Sequence, residues 1–208
     1  MPPLRRSELA ADPIEQFREW YERAAREVPL AHAMTLATVD ADGAPDARMV
    51  LLKGFGPEGF RFFTNLDSAK AAQLRAVPRA ALVFYWRELD RQVRLRGPVE
   101  PLSDAESDGY FATRPRDSQI GAWASPQSQP LPDRAALDER ARQAEDRFAA
   151  RDVPRPSFWG GFELIPSEIE FWQGQAARLH DRFRYRRMNG QWQLERLGPQ
   201  GLVAQSES

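Results

Sequence analysis

Residues 33–65 read AMTLATVDADGAPDARMVLLKGFGPEGFRFFTN, and this stretch decides the fold class. It contains three apolar runs that are separated by Asp40-Ala41-Asp42-Gly43 and by Pro57-Glu58-Gly59. Both separators are rich in turn-forming residues, and glycine tolerates the positive φ that many tight turns require. Connections this short join antiparallel neighbours. We therefore predict strands over residues 33–39, 45–54 and 60–64 within an antiparallel sheet.

The rest of the chain adds short strands, with helices in the connections. Asp12-Pro13 is typical of a helix start, and Ser103 to Glu106 has the form of a capping box. Asn189-Gly190 is the strongest short hairpin signal in the sequence. We predict helices from Pro13 to about Glu27, over 68–77, from Ser103 to Arg114 and over 133–150. Further strands are predicted over 80–86, 92–102, 159–165, 168–174, 181–188 and 191–197.

Many short antiparallel strands favour a closed or nearly closed barrel, because such a barrel leaves few unpaired edges. The predicted fold class is mainly β with flanking helices (α+β). No composition shift indicates a linker, so residues 12–197 are expected to form a single domain. Residues 1–11 are expected to be a flexible lead-in, and residues 198–208 a polar tail.

Composition excludes several classes of function. The 208 residues include 29 basic and 30 acidic side chains, so the net charge of −1 gives no reason to expect nucleic acid or an anionic membrane as partner. The absence of cysteine excludes disulfides, thiolate nucleophiles and cysteine-ligated metals. Residues 1–11 have no apolar signal core, and no window is apolar enough to span a bilayer. We expect a cytoplasmic protein without a metal site.

Two segments near the first strands are candidate anion sites. Arg48 and Lys53 end an apolar run and point to opposite faces if the run is a strand. On pattern alone, an ordinary buried strand with charged ends is the favoured alternative. Downstream, Phe62 to Asn65 precedes Ser68-Ala69-Lys70, so backbone N–H groups, hydroxyls and an ammonium group come close together. Such a helix start suits a phosphate, although simple helix capping is the alternative.

A third segment combines Tyr110, Arg114 and Ser118 at intervals of four residues. Together they could clamp a phosphomonoester, provided that a new helix begins near Ser118 after the interruption at Pro115. A favourable cation at a helix C-terminus is the alternative for Arg114. The following amides and hydroxyls around Trp123 suit a planar heteroaromatic ligand or an ordinary polar loop.

A fourth segment, residues 178–187, contains one stripe of cations. On a strand, one face would present Arg178, His180, Arg182, Arg184 and Arg186. These charges repel each other unless an anion or carboxylates neutralise them. An anion site and a charged edge strand both fit this pattern. Asp181 would point to the opposite face, which disfavours a Ser-His-Asp triad.

In this order, the segments resemble the pyridoxine (pyridoxamine) 5′-phosphate oxidase family over about residues 12–197. Each phrase alone is weak, and their combination is highly specific. The matching phrases are Arg48–Lys53, Phe63-Thr64-Asn65, Phe84-Tyr85-Trp86, Arg91-Gln92-Val93, Ser118–Gln129, Trp159-Gly160-Gly161, Glu170–Gly174 and Arg178–Arg182.

The resemblance implies an FMN-binding split β-barrel that forms a homodimer, with FMN at the subunit interface. It implies oxidation of pyridoxine or pyridoxamine 5′-phosphate by O₂ to pyridoxal 5′-phosphate, with release of H₂O₂ and, from the amine, NH₃. Hydride would pass from C4′ of the substrate to flavin N5. The flavin supplies the redox chemistry and the protein supplies orientation.

The resemblance also implies roles for individual residues. The catalytic residues would be Arg178 and His180, which position the pyridine ring. The substrate-binding residues would be Lys53, Tyr110, Arg114, Ser118, Arg178 and His180. The FMN-binding residues would be Arg48, Met49, Val50, Leu51, Leu52, Lys53, Phe63, Thr64, Lys70, Gln92, Gln127, Ser128, Trp172 and Arg182.

Three other functions remain open at this stage. One is a related split-barrel oxidase acting on a phenazine-type heterocycle, which would not need the phosphate clamp at Tyr110, Arg114 and Ser118. Another is a non-catalytic module that binds FMN or pyridoxal phosphate, against which Arg178 and His180 argue. A nucleic-acid role for the arginine stripe is the least favoured, since one short basic strand is a small footprint.

One departure from the family pattern predicts weaker cofactor binding. Ala69 stands between Ser68 and Lys70, where the family usually has an arginine that would contact the FMN phosphate. A charge-assisted hydrogen bond contributes roughly 1.5–3 kcal/mol. Ala69→Arg is therefore expected to tighten FMN binding in a fluorescence titration of the apoprotein. Unchanged affinity in this variant would contradict the prediction.

Overall fold

A computed structural model describes residues 2–199, and its element bounds agree closely with the sequence predictions. Within the described range the α-helices are α1 (Pro13–Glu27), α2 (Ala69–Ala76), α3 (Asp104–Ala112), α4 (Arg116–Ala124) and α5 (Arg134–Phe148). The strands are β1 (Ala33–Val39), β2 (Pro45–Leu51), β3 (Gly54–Phe55), β4 (Phe60–Asn65), β5 (Arg79–Trp86), β6 (Arg91–Pro101), β7 (Trp159–Leu164), β8 (Glu168–Gln173), β9 (Asp181–Met188) and β10 (Gln191–Arg196).

The strands form one curled antiparallel sheet in which β6 has a central place. The main path runs β10-β9-β8-β6-β5-β1-β2, while β7 joins the end of β6 to β4 and β4 pairs with β3. Residues 91–96 of β6 pair with β8, whereas Val99 to Pro101 pair with β7. The strand changes partner at Gly97, where an added Cβ would lie 1.9 Å from the carbonyl oxygen of Ile165. Only glycine permits this approach, which bends the sheet into a half-barrel.

The interior of the half-barrel is filled largely with aromatic rings. Phe17 of α1 is fully buried, and its ring lies 4.8 Å from the rings of Phe55 and Phe60 and 5.1 Å from that of Phe84. Helix α1 begins as predicted, because Asp12 accepts a hydrogen bond from the N–H of Ile14 and Pro13 occupies the first position. Its apolar face covers this core.

A smaller apolar cluster lies between helices α3, α4 and α5 and strand β7. Its buried members are Phe111, Ile120, Ala144, Phe148, Val153 and Trp159. Helix α3 begins with the predicted capping box, in which Ser103 and Glu106 exchange hydrogen bonds. Helix α4 begins at Arg116 directly after Pro115, so the condition for grouping Ser118 with Tyr110 and Arg114 is met. This cluster fixes α3 and α4 against β7.

The predicted hairpin is present, because Asn189 and Gly190 have φ values of 51° and 79° between β9 and β10. Two strand details differ from the expectation. Strand β2 ends at Leu51 rather than near residue 54, and a separate two-residue strand β3 follows it. Strand β9 begins at Asp181, so Arg178 and His180 precede it and are not part of its face.

The N-terminal segment makes specific contacts near the start of β9. The N–H of Leu4 donates to Asp181 Oδ2 at 2.9 Å, and Gln173 and Gln175 donate to the carbonyl oxygen of Pro2. Leu4 is buried. The flexibility of residues 1–11 stays a prediction, and most of the predicted tail, 198–208, lies outside the described residues. Within residues 2–199 no helix is both long and apolar enough to cross a membrane.

Candidate functional site

A cavity of about 610 Å³ opens beside strands β2 and β4 and helices α3 and α4. Its volume lies in the range of cofactor and substrate pockets. Strand β2 contributes an apolar wall, since Met49 and Leu51 are 62% and 40% exposed on its outer side. Eleven of the residues predicted to bind cofactor or substrate line the cavity: Met49, Val50, Leu51, Lys53, Phe63, Thr64, Lys70, Tyr110, Arg114, Ser118 and Gln127.

One end of the cavity has a cationic, hydrogen-bonding character. The Nζ of Lys70 donates to Gln127 Oε1 at 2.8 Å and to Thr64 Oγ at 3.2 Å, while Thr64 Oγ donates to the same Gln127 oxygen at 3.0 Å. Burial lowers the pKa of the Lys70 ammonium below its ordinary value, and the nearby charge of Arg48 lowers it further. An anion placed here would offset both effects.

The N-cap residue of α2, Ser68, makes no capping hydrogen bond with its side chain, so simple helix capping, the alternative to a phosphate site in this segment, is wrong. The hydroxyl of Ser68 donates to the carbonyl oxygen of Asn65 at 2.6 Å and caps no N–H group of the helix. The N–H of Ala69 instead donates to the hydroxyl of Ser128, whose φ of 66° is left-handed. Arg75 lies in the last turn of α2 and donates to the carbonyl oxygen of Leu66, so it does not replace a cation at position 69.

The cavity lining also contains the predicted phosphate clamp, formed by Lys53, Tyr110, Arg114 and Ser118. Nη1 of Arg114 is buried and has no hydrogen-bond partner. Burial also lowers the pKa of this guanidinium below its ordinary value. A buried donor without an acceptor is costly, so this position favours a bound anion.

Three further predicted residues form a row on the outer face of the sheet, away from this cavity. Gln92 of β6 pairs with Trp172 of β8, which pairs in turn with Arg182 of β9. Arg182 is held by Glu170 at 2.9 Å. None of the three lines the cavity.

Arg178 and His180 lie beside this row, in a turn before β9. The ring of His180 lies 4.7 Å from that of Trp172, and its Nδ1 accepts a hydrogen bond from the N–H of Gln175. Its Nε2 is buried and has no partner. Ala177 and Arg178 have φ values of 55° and 60°, an unfavourable conformation for residues other than glycine. This turn leaves the side chain of Arg178 exposed.

Most of the predicted site residues therefore fall into two groups on one chain: the cavity group and the group around Trp172. Three of the predicted FMN residues belong to neither group. Leu52 lies in the core, Ser128 contacts the start of α2, and Arg48 is bound by neighbouring side chains. Arg48 donates to Gln73 Oε1 at 3.0 Å and is ion-paired with Asp46. Arg48 does not line the cavity, but its charge lowers the pKa of Lys70, which does.

The other two arginines of the predicted stripe, Arg184 and Arg186, are neutralised by carboxylates. Arg184 is paired with Glu195 at 2.8 Å, and Arg186 lies 3.8 Å from both Glu168 and Glu195. Because β10 pairs with β9, this strand is not an edge. At these positions the stripe is thus a ladder of ion pairs. Carboxylates, rather than a bound anion, neutralise Arg184 and Arg186.

Sequence reasoning missed one prominent residue of the cavity. Trp159 is buried, lines the cavity and stacks on the ring of Phe63 at 5.2 Å. The sequence placed it in a matching phrase, Trp159-Gly160-Gly161, but its pattern alone is that of a core strand. Its proximity to Phe63 follows from the pairing of β4 with β7, which no local signal gives.

The curled sheet and its flanking cavity define the class: a split-barrel fold of the kind found in FMN-binding proteins. A solved pyridoxamine 5′-phosphate oxidase-related, FMN-binding protein from Nostoc punctiforme has this fold, with a TM-score of 0.73, 20% identity, and coverage of 92% of this chain and 100% of that one. PhzG from Burkholderia lata, solved with tetrahydrophenazine-1-carboxylic acid, has a TM-score of 0.89 and 30% identity, covering 96% of this chain and 99% of that one.

Family models give the more specific identification. Residues 21–148 match the pyridoxamine 5′-phosphate oxidase model, and residues 159–199 match the C-terminal dimerisation region of pyridoxine 5′-phosphate oxidase. A pyridoxine/pyridoxamine 5′-phosphate oxidase from Cupriavidus taiwanensis is 52% identical, covering 94% of this chain and 93% of that protein. One from Azorhizobium caulinodans is 55% identical, covering 91% of each. The chain belongs to the pyridoxamine 5′-phosphate oxidase family.

Family membership confirms the predicted fold class, enzyme class, FMN cofactor and homodimer at the level of the family. The cavity also fits FMN by its own chemistry, since the apolar wall at Met49 and Leu51 suits a planar ring and the polar end at Lys70 suits a phosphate. The roles of individual residues stay predictions.

The lowered pKa of Lys70 predicts pH-dependent cofactor binding. A phosphate beside Lys70 favours the charged ammonium, which is lost as the pH rises through that lowered pKa. FMN affinity should therefore fall as the pH rises toward the ordinary lysine pKa of 10.5, a range in which a phosphomonoester is already fully charged. Lys70→Met should weaken binding by roughly tenfold to a hundredfold and flatten the pH profile.

Fluorescence titration of the apoprotein with FMN across this pH range measures the effect. Arg75→Met is the matched control, because it removes a cation from the opposite end of the same helix. A Lys70→Met profile parallel to that of the unmodified protein would contradict the assignment.

Proposed function

We propose that this chain oxidises pyridoxine 5′-phosphate and pyridoxamine 5′-phosphate to pyridoxal 5′-phosphate, with O₂ as the electron acceptor. Oxygen is reduced to H₂O₂, and the amine substrate also consumes water and releases NH₃. The relatives at 50–55% identity are named pyridoxine/pyridoxamine 5′-phosphate oxidase and are matched over nearly their whole length. The roles of individual residues are those that the family resemblance implies, and the geometry of the site supports them.

One observation supports the proposal most strongly. Among the described residues, two buried side-chain nitrogens lack a hydrogen-bond partner: Nη1 of Arg114 and Nε2 of His180. Both belong to residues predicted to bind the substrate. Buried polar atoms in folded proteins are nearly always paired, so unpaired donors indicate a place where a ligand supplies the acceptor.

Arg114 and Lys53 would bind the substrate phosphate, with the hydroxyls of Tyr110 and Ser118 donating hydrogen bonds to it. His180 would donate from Nε2, because its Nδ1 is the acceptor for the N–H of Gln175 and the neutral ring then has its proton on Nε2. With Arg178, it would orient the pyridine ring. The two-electron redox chemistry comes from FMN when it is bound.

The division of the site residues into two groups indicates that each complete site needs two chains. The cavity group would contribute the phosphate contacts of one protomer, and the group around Trp172 would come from the other. The family's dimerisation region covers residues 159–199, which include Trp172, Arg178, His180 and Arg182. The cytoplasmic location and the single domain over 12–197 remain parts of this proposal.

A phenazine-type substrate is the second candidate, because PhzG has a closely similar structure. The grouping of Lys53, Tyr110, Arg114 and Ser118 around one cavity argues against it, since a substrate without a phosphate has no use for this cluster.

Anaerobic mixing of the FMN-loaded protein with pyridoxine 5′-phosphate tests the proposed reaction. The expected result is loss of the visible flavin absorbance, its return on admission of air, and formation of pyridoxal 5′-phosphate. An FMN-loaded protein that stays oxidised with both phosphorylated substrates would refute the proposal, and reduction by a dihydrophenazine carboxylic acid would then favour the second candidate.

Mixing two inactive variants tests whether the site is shared between chains. Arg114→Met removes a cavity residue and His180→Asn removes a residue of the other group. Random heterodimers then contain one intact site and one doubly altered site, so the mixture should recover about one quarter of the unmodified activity.

The matched control mixes Arg114→Met with Lys53→Met, which alter the same cavity. No heterodimer then has an intact site, and no activity should return. Equal recovery in both mixtures, or in neither, would contradict the shared site.

A further inference from the structure

Three aromatic rings beside the cavity contact one another and are nearly parallel. The ring of Phe63 lies 4.1 Å from that of Tyr110, at an interplanar angle of 16°, and 5.2 Å from that of Trp159, at 8°. Tyr110 and Trp159 are 6.2 Å apart at 9°. These contacts thus join a predicted cofactor residue on β4, a predicted phosphate-binding residue on α3, and Trp159 on β7.

Arg114 lies on the face of Trp159. Its guanidinium carbon is 4.8 Å from the centre of that ring and 5.4 Å from the ring of Phe111. No ion pair of Arg114 with a carboxylate is present among the described residues, and its Nη1 has no partner. An aromatic face attracts a guanidinium without occupying its N–H donors, which a carboxylate would occupy and neutralise.

The glycines after Trp159 make this arrangement possible. Gly161 pairs with Phe63, and an added Cβ there would lie 2.7 Å from the Phe63 ring and 2.6 Å from Leu102. The ring of Phe63 therefore occupies space that any other residue at position 161 would fill. Trp159, two residues earlier on the same side of β7, can then stack against it.

We propose that Trp159 is a positioning residue for the phosphate clamp, and that it sets the preference for phosphorylated over unphosphorylated pyridoxal ligands. Trp159 holds Arg114 by its ring face and holds Tyr110 through Phe63, while the N–H donors of Arg114 remain free for the phosphate. This inference rests on the proposed function, because it assumes that Arg114 and Tyr110 bind the substrate phosphate.

Trp159 also belongs to the smaller apolar cluster, so the test has to distinguish the positioning role from a purely structural one. Trp123 provides a matched control. It is packed against Phe148 of the same cluster and has a cation over its own ring, since Arg147 lies 4.6 Å from the ring centre. Trp123 does not line the cavity.

The experiment measures binding of pyridoxal 5′-phosphate and of pyridoxal to the FMN-loaded dimer by calorimetry. Trp159→Leu should weaken binding of the phosphorylated ligand about fivefold to tenfold, within the range for a desolvated cation–π contact, and leave pyridoxal binding unchanged. Trp159→Phe should restore most of the loss, because it retains a ring. Trp123→Leu should affect neither ligand.

A double-mutant cycle with Arg114→Ala completes the test. In that background, Trp159→Leu should change the affinity for pyridoxal 5′-phosphate less than about twofold, because the two residues act together. A loss that is the same with and without Arg114, or the same for both ligands, would overturn the inference and leave Trp159 a core residue.

The affinities of the unmodified protein for the two ligands distinguish a failure of this inference from a failure of the proposed function. If it binds pyridoxal 5′-phosphate no better than pyridoxal, the proposed function and the role of Trp159 are both overturned. If it prefers the phosphorylated ligand and Trp159→Leu retains that preference, the role of Trp159 alone is overturned.

Discussion

The close approach of Gly97 to the carbonyl of Ile165 is the constraint on which the rest of the structure depends. It lets β6 leave β8 and pair with β7 within a few residues, so a single strand belongs to both parts of the curled sheet. The first part of β6 positions Gln92 beside Trp172. Its last residues hold β7, and through β7 the Trp159 ring beside the cavity. The path of one strand therefore positions the row around Trp172 and, through β7, one wall of the cavity.

The elements themselves could be predicted because their signals are local. Asp12-Pro13 caps α1, Ser103 and Glu106 form the capping box of α3, and Asn189-Gly190 makes the last hairpin. Strand β3 was missed because two residues give no periodicity. The end of β2 was placed too late because Leu52 continues the apolar run although it has turned into the core.

The site was less predictable, since its geometry comes from contacts between distant residues. The intervals between Tyr110, Arg114 and Ser118 correctly indicated one cluster, because α3 and α4 follow each other closely. The stripe from Arg178 to Arg186 was misjudged at its beginning, because left-handed φ values at Ala177 and Arg178 cannot be inferred from those residue types. The neutralising carboxylates at Glu168 and Glu195 lie on neighbouring strands, and only the register of β8 and β10 reveals them.

The placement of the two residue groups on separate surfaces also links cofactor retention to the amount of protein. A site assembled from two chains follows mass action, so its population would fall on dilution more steeply than that of a pocket within one chain. A cofactor that contacts both chains would in turn favour association. Synthesis of the chain and supply of flavin would then act jointly, and a scarcity of either would limit the number of competent sites.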